Sequence, residues 1–388
     1  MEKICNPVDC TGCSACFNVC PKQAIDMIAD SEGFERPIIN QQKCIDCGLC
    51  VKTCPANDLR LNHLPMASYI GYAKDKDILR ESSSGGIFSV LCLHWAKGKN
   101  DYRIVAATLD YNEVRHIAID NVADLDKLRQ SKYVQSHIGD VFTKIREWLH
   151  KGIPVLFVGT PCQVSGLQKY LNDRDRNNLM CIDLVCHGVP SPVAFKEYIR
   201  YREAKSHSKI ENLSFTNKIN GWINRYFFIR FSNGKTYKRL AITYDDPFMT
   251  CFFKHSILRP CCYTCKYTQI HRTGDITLCD AWGVEKLHPE FNYHDGCSMV
   301  LVSSERGSEL FDKIKPFLNY FEDDYNKYLQ YNPQLYKNIS LNPNRSESIK
   351  KATNFSLSFN FYDKEVKVRP LYIQIASRIK YFLHQLKK

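Results

Sequence analysis

No run of residues in this chain approaches the ~20 apolar positions that a membrane span needs, and Met1-Glu2-Lys3-Ile4-Cys5 opens without the apolar core of a secretion signal. The expected location is therefore the cytoplasm. Concentrated charge is lacking too: the 53 Lys and Arg outnumber the 41 Asp and Glu, but they are scattered along the 388 residues rather than massed on one element. Nucleic-acid binding needs a basic stripe, so it is the weaker reading of a formal charge of +12. Disulfides belong to oxidising compartments, and without a secretory context the 19 cysteines point to metal or redox chemistry.

Those cysteines are not evenly spread. Cys10-x2-Cys13-x2-Cys16-x3-Cys20-Pro21 is followed by Cys44-x2-Cys47-x2-Cys50-x3-Cys54-Pro55. This is the ligand grammar of two 4Fe-4S clusters: three cysteines at every third position wrap a tight loop round three irons, and the fourth thiolate arrives from elsewhere. In the bacterial ferredoxin run the fourth Cys of each run ligates the other cluster. The expected sets are Cys10, Cys13, Cys16 with Cys54, and Cys44, Cys47, Cys50 with Cys20. Zinc prefers two C-x2-C pairs and has no use for a third Cys at the same step or for the Pro. Between the runs, Ala24 to Ile28 and Phe34 to Ile39 read as a hairpin turning at Ser31-Glu32-Gly33. Ala56 to Pro65 reads as a linker.

The larger body starts near Ser68. A strand over Ser68 to Ala73 leads through Glu81-Ser82-Ser83-Ser84-Gly85-Gly86 into an apolar helical run from Ile87 to Lys97. Hydroxyls and glycines at a helix start offer unpaired backbone N–H groups to an anion, although serines there also serve as plain N-caps. Arg103 to Leu109 and Val114 to Ile119 read as a hairpin, with a short helix over Ala123 to Gln130 and an amphipathic helix over Val141 to His150. Two strand-helix units follow, Ile153 to Val158 with Val164 to Leu171 and Leu179 to Val185 with Val193 to Glu203. Consecutive units of this kind make a parallel sheet, which puts ligands outside the carboxyl ends of its strands. Cys162 and Cys186 stand at those ends and are expected to lie close together. With the pair Cys262-x2-Cys265 they make a plausible third cubane, against the alternative of four unrelated core cysteines. Cys261 is an alternative to Cys262, whose spacing to Cys265 is tighter. A hairpin turns at Asn233-Gly234, and a further strand and helix cover Ser298 to Val302 and Gly307 to Lys315. In the tail Leu371, Ile375, Ile379, Phe382, Leu383 and Leu386 share one helical face beside Arg378, Lys380, Lys387 and Lys388. The choice there is between a helix packed on its own domain and peripheral contact with a membrane surface.

The ordered blocks Ser82 to Gly86, Ser131 to Ser136, Gly159-Thr160-Pro161-Cys162-Gln163, Cys186-His187-Gly188-Val189-Pro190-Ser191-Pro192, Arg259 to Cys265, Asp275 to Gly283 and Asn332-Pro333-Gln334-Leu335-Tyr336 resemble the beta subunits of coenzyme F-420-reducing hydrogenase and related dehydrogenases. The likeness runs from about Ser68 to Ser348, and the chain is most similar to the bacterial form fused to an N-terminal two-cluster ferredoxin. The resemblance implies an α/β (α+β) architecture in four parts. These are a ferredoxin domain over 1–60, a flavin-binding region over 68–150, a region with the third cluster over 151–330, and a tail over 331–388. It also implies an FAD beside the third cluster, with Ser83, Gly85, Gly86, Lys132, Tyr133, Gln135 and Thr160 as its contacts. The family moves a hydride between flavin and a deazaflavin or other organic substrate, and members of this build resemble those found among surface-polysaccharide enzymes.

On that basis the expected function is a transformer between one-electron and two-electron chemistry. It would be served by a ferredoxin-like donor or acceptor and would act on a small organic substrate, with coenzyme F-420 as one candidate. His187 and Asp280 are the candidate proton donors. The rivals are a non-catalytic electron-transfer subunit of a hydrogenase or dehydrogenase, and a nucleic-acid-binding protein with structural clusters. Each cubane with its four thiolates carries about −2, so three of them with a flavin pyrophosphate remove more than half of the apparent positive excess.

Overall fold

The computed structural model describes residues 3–59, 64–241 and 245–365. The amphipathic tail expected over Leu371 to Leu386 lies outside the described residues. The strands in chain order are β1 (Ile25–Ala29), β2 (Glu35–Ile39), β3 (Ala67–Ala73), β4 (Arg103–Asp110), β5 (Glu113–Ile119), β6 (Val155–Gly159), β7 (Leu179–Leu184), β8 (Ile210–Asn217), β9 (Tyr226–Phe231), β10 (Thr236–Leu240), β11 (Ile276–Asp280), β12 (Ser298–Val302) and β13 (Leu318–Glu322). The result is a mixed α/β body carrying a small cysteine-rich lobe.

In the lobe, β1 and β2 form an antiparallel hairpin with Ile25 opposite Ile39 and Ala29 opposite Glu35. Asp30 fixes the turn: its Oδ1 accepts the N–H groups of Glu32 and Phe34, and its Oδ2 accepts Arg36 Nε at 2.9 Å. The two cysteine runs fold alike. Each ends in one short helix, Ala15–Val19 or Leu49–Thr53, and left-handed backbone falls at matching places, Gly12 and Asp46, then Ser14 and Gly48. Each fourth cysteine, Cys20 or Cys54, follows its helix in extended backbone.

The body is built on an eight-stranded sheet in the order β13-β3-β12-β11-β7-β6-β4-β5. The four strands β11, β7, β6 and β4 are parallel, and antiparallel strands flank them on both sides. Strand periodicity divides the core between the two faces. Ile104, Leu156, Met180, Ile182 and Val300 pack under the helices Ile87–Ala96 and Glu305–Ile314. Val105, Val155, Phe157, Leu179 and Cys181 face the helices Val141–His150 and Pro161–Tyr170. The sheet takes strands from both 68–150 and 151–330, so these two segments share one core. A separate antiparallel sheet, β10-β9-β8, packs an aromatic core of Phe195, Tyr198, Phe215, Phe227, Phe248 and Tyr362 against the helix Pro192–Ser206.

The lobe docks on the face of the large sheet covered by the helices Val141–His150 and Pro161–Tyr170. Asn18 donates to Gly139 O at 2.8 Å and accepts from Thr143 N at 3.0 Å. Glu32 receives both terminal nitrogens of Arg345. Gly166, in the helix Pro161–Tyr170, lies so close to the lobe that a Cβ there would stand 2.8 Å from Cys13 Sγ. Among the described residues no helix is long and apolar enough to cross a membrane.

Two predictions concern stability. Asp183 is fully buried at the end of β7 and accepts Thr273 N, Thr273 Oγ1, Gly274 N and Thr277 Oγ1, with Arg272 Nη2 at 3.5 Å. Asp183→Ala leaves the buried Arg272 without its counterion and is expected to cost about 3 kcal/mol or more, read as a fall in the anaerobic unfolding midpoint. At the docking face His137 Nδ1 meets Glu35 Oε1 at 2.7 Å, and this hydrogen bond, against the opposing effect of burial, raises the His137 pKa. A raised folded-state value means that the stabilisation is complete below the unfolded-state value of about 6.5 and is lost as pH rises through the folded value. The difference in melting temperature between wild type and His137→Gln should therefore be larger at pH 6 than at pH 8.

Candidate functional site

The lobe gathers its cysteines into two sets that differ in exposure. Cys10, Cys13, Cys16 and Cys54 are buried, whereas Cys20, Cys44 and Cys50 are half-buried and Cys47 is exposed. In the inner set the four sulfurs lie near enough to raise one another's pKa: the Cys16 thiol, pushed up first by burial, is raised further by Cys13, Cys10 and Cys54. The outer four line one small cavity together with Ile45, Asp46 and Leu49. These are the crossed sets expected from the spacing. Among the described residues no three His, Cys, Asp or Glu side chains converge tightly enough for a single ion.

Backbone N–H groups are aimed at these sulfurs. Ala24 N donates to Cys20 Sγ at 3.3 Å, and Gly12, Ala15, Phe17, Val51 and Ala56 donate to Cys10, Cys13, Cys16, Cys50 and Cys54 respectively. Such donors suit thiolates, because an N–H stabilises the ionised sulfur. Cys5 has no ligand spacing, yet it is placed against the inner set. Its hydrogen bonds to Cys10 and Cys54 lower those two thiols to about 5 and about 7, and its own thiol is correspondingly raised.

The third set forms at the sheet edge. Because β6, β7 and β11 are parallel, Thr160 to Cys162, Cys186 and Asp280 emerge at the same end. Cys162 lies in the first turn of the helix Pro161–Tyr170 rather than in a loop, with Thr160 as its N-cap and Thr160 Oγ1 3.2 Å from Cys162 Sγ. Cys162, Cys186, Cys261, Cys262 and Cys265 all line one cavity, which Asp9, Thr11, Pro55 and Ala56 of the lobe help to close. Burial pushes Cys162 well up and Cys186 to about 12. Gly188 N donates to Cys186 Sγ at 3.4 Å, and Val189 and Tyr267 donate to Cys262 and Cys265. Cys262 interacts with Cys186, while Cys261 interacts with Cys162, Cys186 and Cys265 and, toward the lobe, with Cys10 and Arg36. Both thiols border the set, and the choice of Cys262 rests on its spacing to Cys265.

The residues expected to touch a flavin separate into two places. Gln135 and Thr160 are at the cysteines: Gln135 accepts from Arg259 and donates to Thr11 O, and Thr160 caps the helix that bears Cys162. Ser83, Gly85, Gly86, Lys132 and Tyr133 stay together elsewhere. Ser83 Oγ accepts from Ser131 N at 2.7 Å and from Thr216 Oγ1 at 2.7 Å, and Gly85 N donates to Ser298 Oγ at 2.9 Å, so these groups of the loop before the helix Ile87–Ala96 are engaged within the protein. The positive character comes instead from side chains. Lys132 Nζ is buried against the carbonyls of Leu128 and Arg129, and burial pulls it down to about 7. Lys218 Nζ, likewise brought to about 7, meets the carbonyls of Leu79, Ser84 and Asp295. Arg225 is 4% exposed and gives Nη2 to Asp280 Oδ2 at 3.0 Å, while its Nε and Nη1 have no partner among the described residues. Its guanidinium lies 4.7 Å from the Trp282 ring, which stacks on Trp222.

Asp280 also receives Trp222 Nε1, so its carboxylate is committed to two donors. His187 is in the cysteine cavity, with Gln334 Nε2 2.9 Å from its Nδ1 and His255 Nε2 3.0 Å from its Nε2. Burial lowers it to about 4. One ring joins the two places, since Phe252 packs 4.9 Å from Tyr133 and 4.9 Å from His187. Arg225, Lys218 and Arg259 are site residues that the spacing did not single out. Arg259 alone had a signal, being next to the Cys261-Cys262 pair.

Buried thiols in ferredoxin-like sets beside a mixed α/β body define an iron-sulfur protein of oxidoreductase type. Residues 154–318 match the family model for the C terminus of the coenzyme F420 hydrogenase/dehydrogenase beta subunit, and residues 9–57 match the 4Fe-4S dicluster domain. Over residues 154–318 the chain is thus similar to the F420 hydrogenase and dehydrogenase beta subunits, and over residues 9–57 to 4Fe-4S dicluster domains. Solved structures similar to it include a chain of the F420-reducing [NiFe] hydrogenase complex from Methanosarcina barkeri. That chain is 14% identical with a TM-score of 0.48, over 78% of this chain and 91% of that one. No curated protein matches by sequence.

Iron analysis checks the ligand sets. The anaerobically reconstituted protein should hold about twelve irons, four per cubane. Cys162→Ala and Cys262→Ser should each lose about four while keeping the ferredoxin-type spectrum, and Cys261→Ser should keep all of them.

Proposed function

We propose that this chain is an iron-sulfur flavoprotein that couples single-electron transfer at its cysteine sites to hydride chemistry on a small organic substrate, with FAD held at the Ser83, Lys132, Tyr133 and Arg225 site. The observation that carries the reading is Arg225. A buried guanidinium with two unpaired donor nitrogens costs several kcal/mol unless an acceptor arrives, and Lys218 beside it and Lys132, next to Tyr133, are held by backbone carbonyls rather than by carboxylates. An anionic or carbonyl-rich ligand answers that deficit. When bound, clusters at the cysteine sets supply single electrons, and a flavin exchanges both single electrons and hydrides.

The chain's own residues then divide the work. Asp280 fixes the Arg225 fork, so it is assigned as a positioning residue rather than as a proton donor. Lys132 and Lys218 gain charge as an anion approaches, because an opposite charge offsets the burial that lowered them. Ser83 and Ser131 hold the loop in register. His187 accepts from Gln334 at Nδ1 and therefore carries its proton on Nε2, toward His255, whose Nδ1 donates to Ser340 O. It is the proton carrier of this proposal. The exposed Cys47 side of the outer set faces the redox partner, and the substrate is sought among deazaflavins and, given the resemblance to surface-polysaccharide enzymes, nucleotide sugars.

Anaerobic purification with cofactor identification tests the reading. A flavin spectrum is expected together with the iron, and Arg225→Met should weaken flavin retention at least tenfold while leaving the iron content unchanged. Full flavin retention in that variant would move the flavin away from Arg225. Reduction of a nucleotide sugar or deazaflavin by the chain alone, with an artificial donor, separates an enzyme from a bare electron-transfer subunit. Absence of flavin with salt-sensitive DNA retention would favour the nucleic-acid reading.

A further inference from the structure

Arg259 belongs to the body but spends its guanidinium on the lobe. It is fully buried. Its Nε donates to Cys10 O at 2.8 Å, its Nη1 to Gln135 Oε1 at 2.8 Å, and its Nη2 to Glu35 O at 2.8 Å and to Cys10 Sγ at 3.5 Å. Gln135 in turn donates to Thr11 O at 3.2 Å, so the cation is held from both sides of the junction. The fit requires Gly12, where a Cβ would stand 2.7 Å from Arg259 Nη1 in a backbone of φ +69°. The same arginine lines the third cysteine cavity. A second guanidinium, Arg36, donates to Cys10 O at 3.3 Å.

The outer set has no counterpart to this among the described residues. Ala24 N reaches Cys20, and the charged residues lining the outer cavity are the exposed Asp46, whose Oδ1 is 3.7 Å from Cys44 Sγ, and the exposed Lys22. Solvent screens both of them. Reduction adds one negative charge to a cluster, and a buried N–H···S donor with a full positive charge stabilises that state; charge, hydrogen bonds to sulfur and exposure are the levers that set such potentials.

We propose that Arg259 raises the reduction potential of the inner cluster above that of the outer one, so that electrons delivered at the exposed Cys47 side run inward toward the body. The proposal rests on the cluster assignment above and adds a direction of flow to it. Arg259 is here a positioning and tuning residue at the junction between lobe and body.

The test is an EPR-monitored redox titration of the full-length reconstituted holoprotein, with the inner component identified as the signal lost in Cys13→Ala. In wild type the inner component should be the easier to reduce. In Arg259→Gln its reduced-to-oxidised ratio at a fixed potential should fall at least tenfold, which is 59 mV for a one-electron couple, while the outer component stays where it was. Arg259→Lys, which keeps the charge but not the fork, should fall between the two. An unchanged inner potential at full iron content would overturn the proposal, as would an outer component that is the easier to reduce in wild type. Loss of the inner cluster in both variants, with the outer one loaded, would overturn a tuning role in favour of a purely structural one. Fewer than about eight irons in the wild-type lobe would instead remove the cluster assignment itself.

Discussion

The structure depends on one electrostatic constraint, the placing of thiolates in a protein interior. Burial first, and neighbouring cysteines after it, drive the Cys13, Cys16, Cys162 and Cys186 thiols upward, away from the ionised form that a metal ligand requires. The local architecture counters this. Two runs of the same length turn through left-handed residues at the same places, which points successive N–H groups at the sulfurs. The inner set, which cannot use solvent, also receives guanidinium charge from Arg259 and Arg36. The outer set, with Cys47 exposed, needs no such help.

Docking follows from the same constraint. A lobe that only tethered two clusters could hang from a linker, yet Asn18, Glu32, Gln135 and Arg259 tie it to the body, and Gly166 lets a body helix approach Cys13. The walls of the third cavity come from both parts. The inner and third sets therefore share a boundary, and Cys261 lies on it, interacting with Cys10 on one side and with Cys262 on the other.

What could be read from sequence was what is local. The crossed ferredoxin sets, the β1-β2 hairpin and the convergence of Cys162, Cys186 and Cys265 at a sheet edge all follow from short-range spacing or from the rule that parallel strands present ligands at their carboxyl ends. The strand Ser298 to Val302 is legible as a short continuous apolar run, and the helix Val141 to His150 by its helical period. The long-range pairings were not. Gln135 and Tyr133 are two residues apart, yet one reaches the cysteine junction and the other the aromatic cluster around Phe252. Arg225 comes to Asp280 from between β8 and β9, in a sheet whose placement no motif announces.

The Ser82 to Gly86 loop shows why the distinction matters chemically. A helix start with serines and glycines suggests backbone donors for a phosphate, but here Gly85 N is given to Ser298, and Thr216 and Lys218 donate to Ser83 Oγ and Ser84 O. The cationic groups of the proposed flavin site are side chains that come from separate segments, Lys132 from one and Lys218 and Arg225 from another. Because Lys132 and Lys218 are lowered to about 7 by burial, their charge responds to what binds. An approaching anion raises their pKa values and is held more tightly as it does so. Fixed backbone dipoles cannot respond in this way, since their partial charge is the same with or without a ligand.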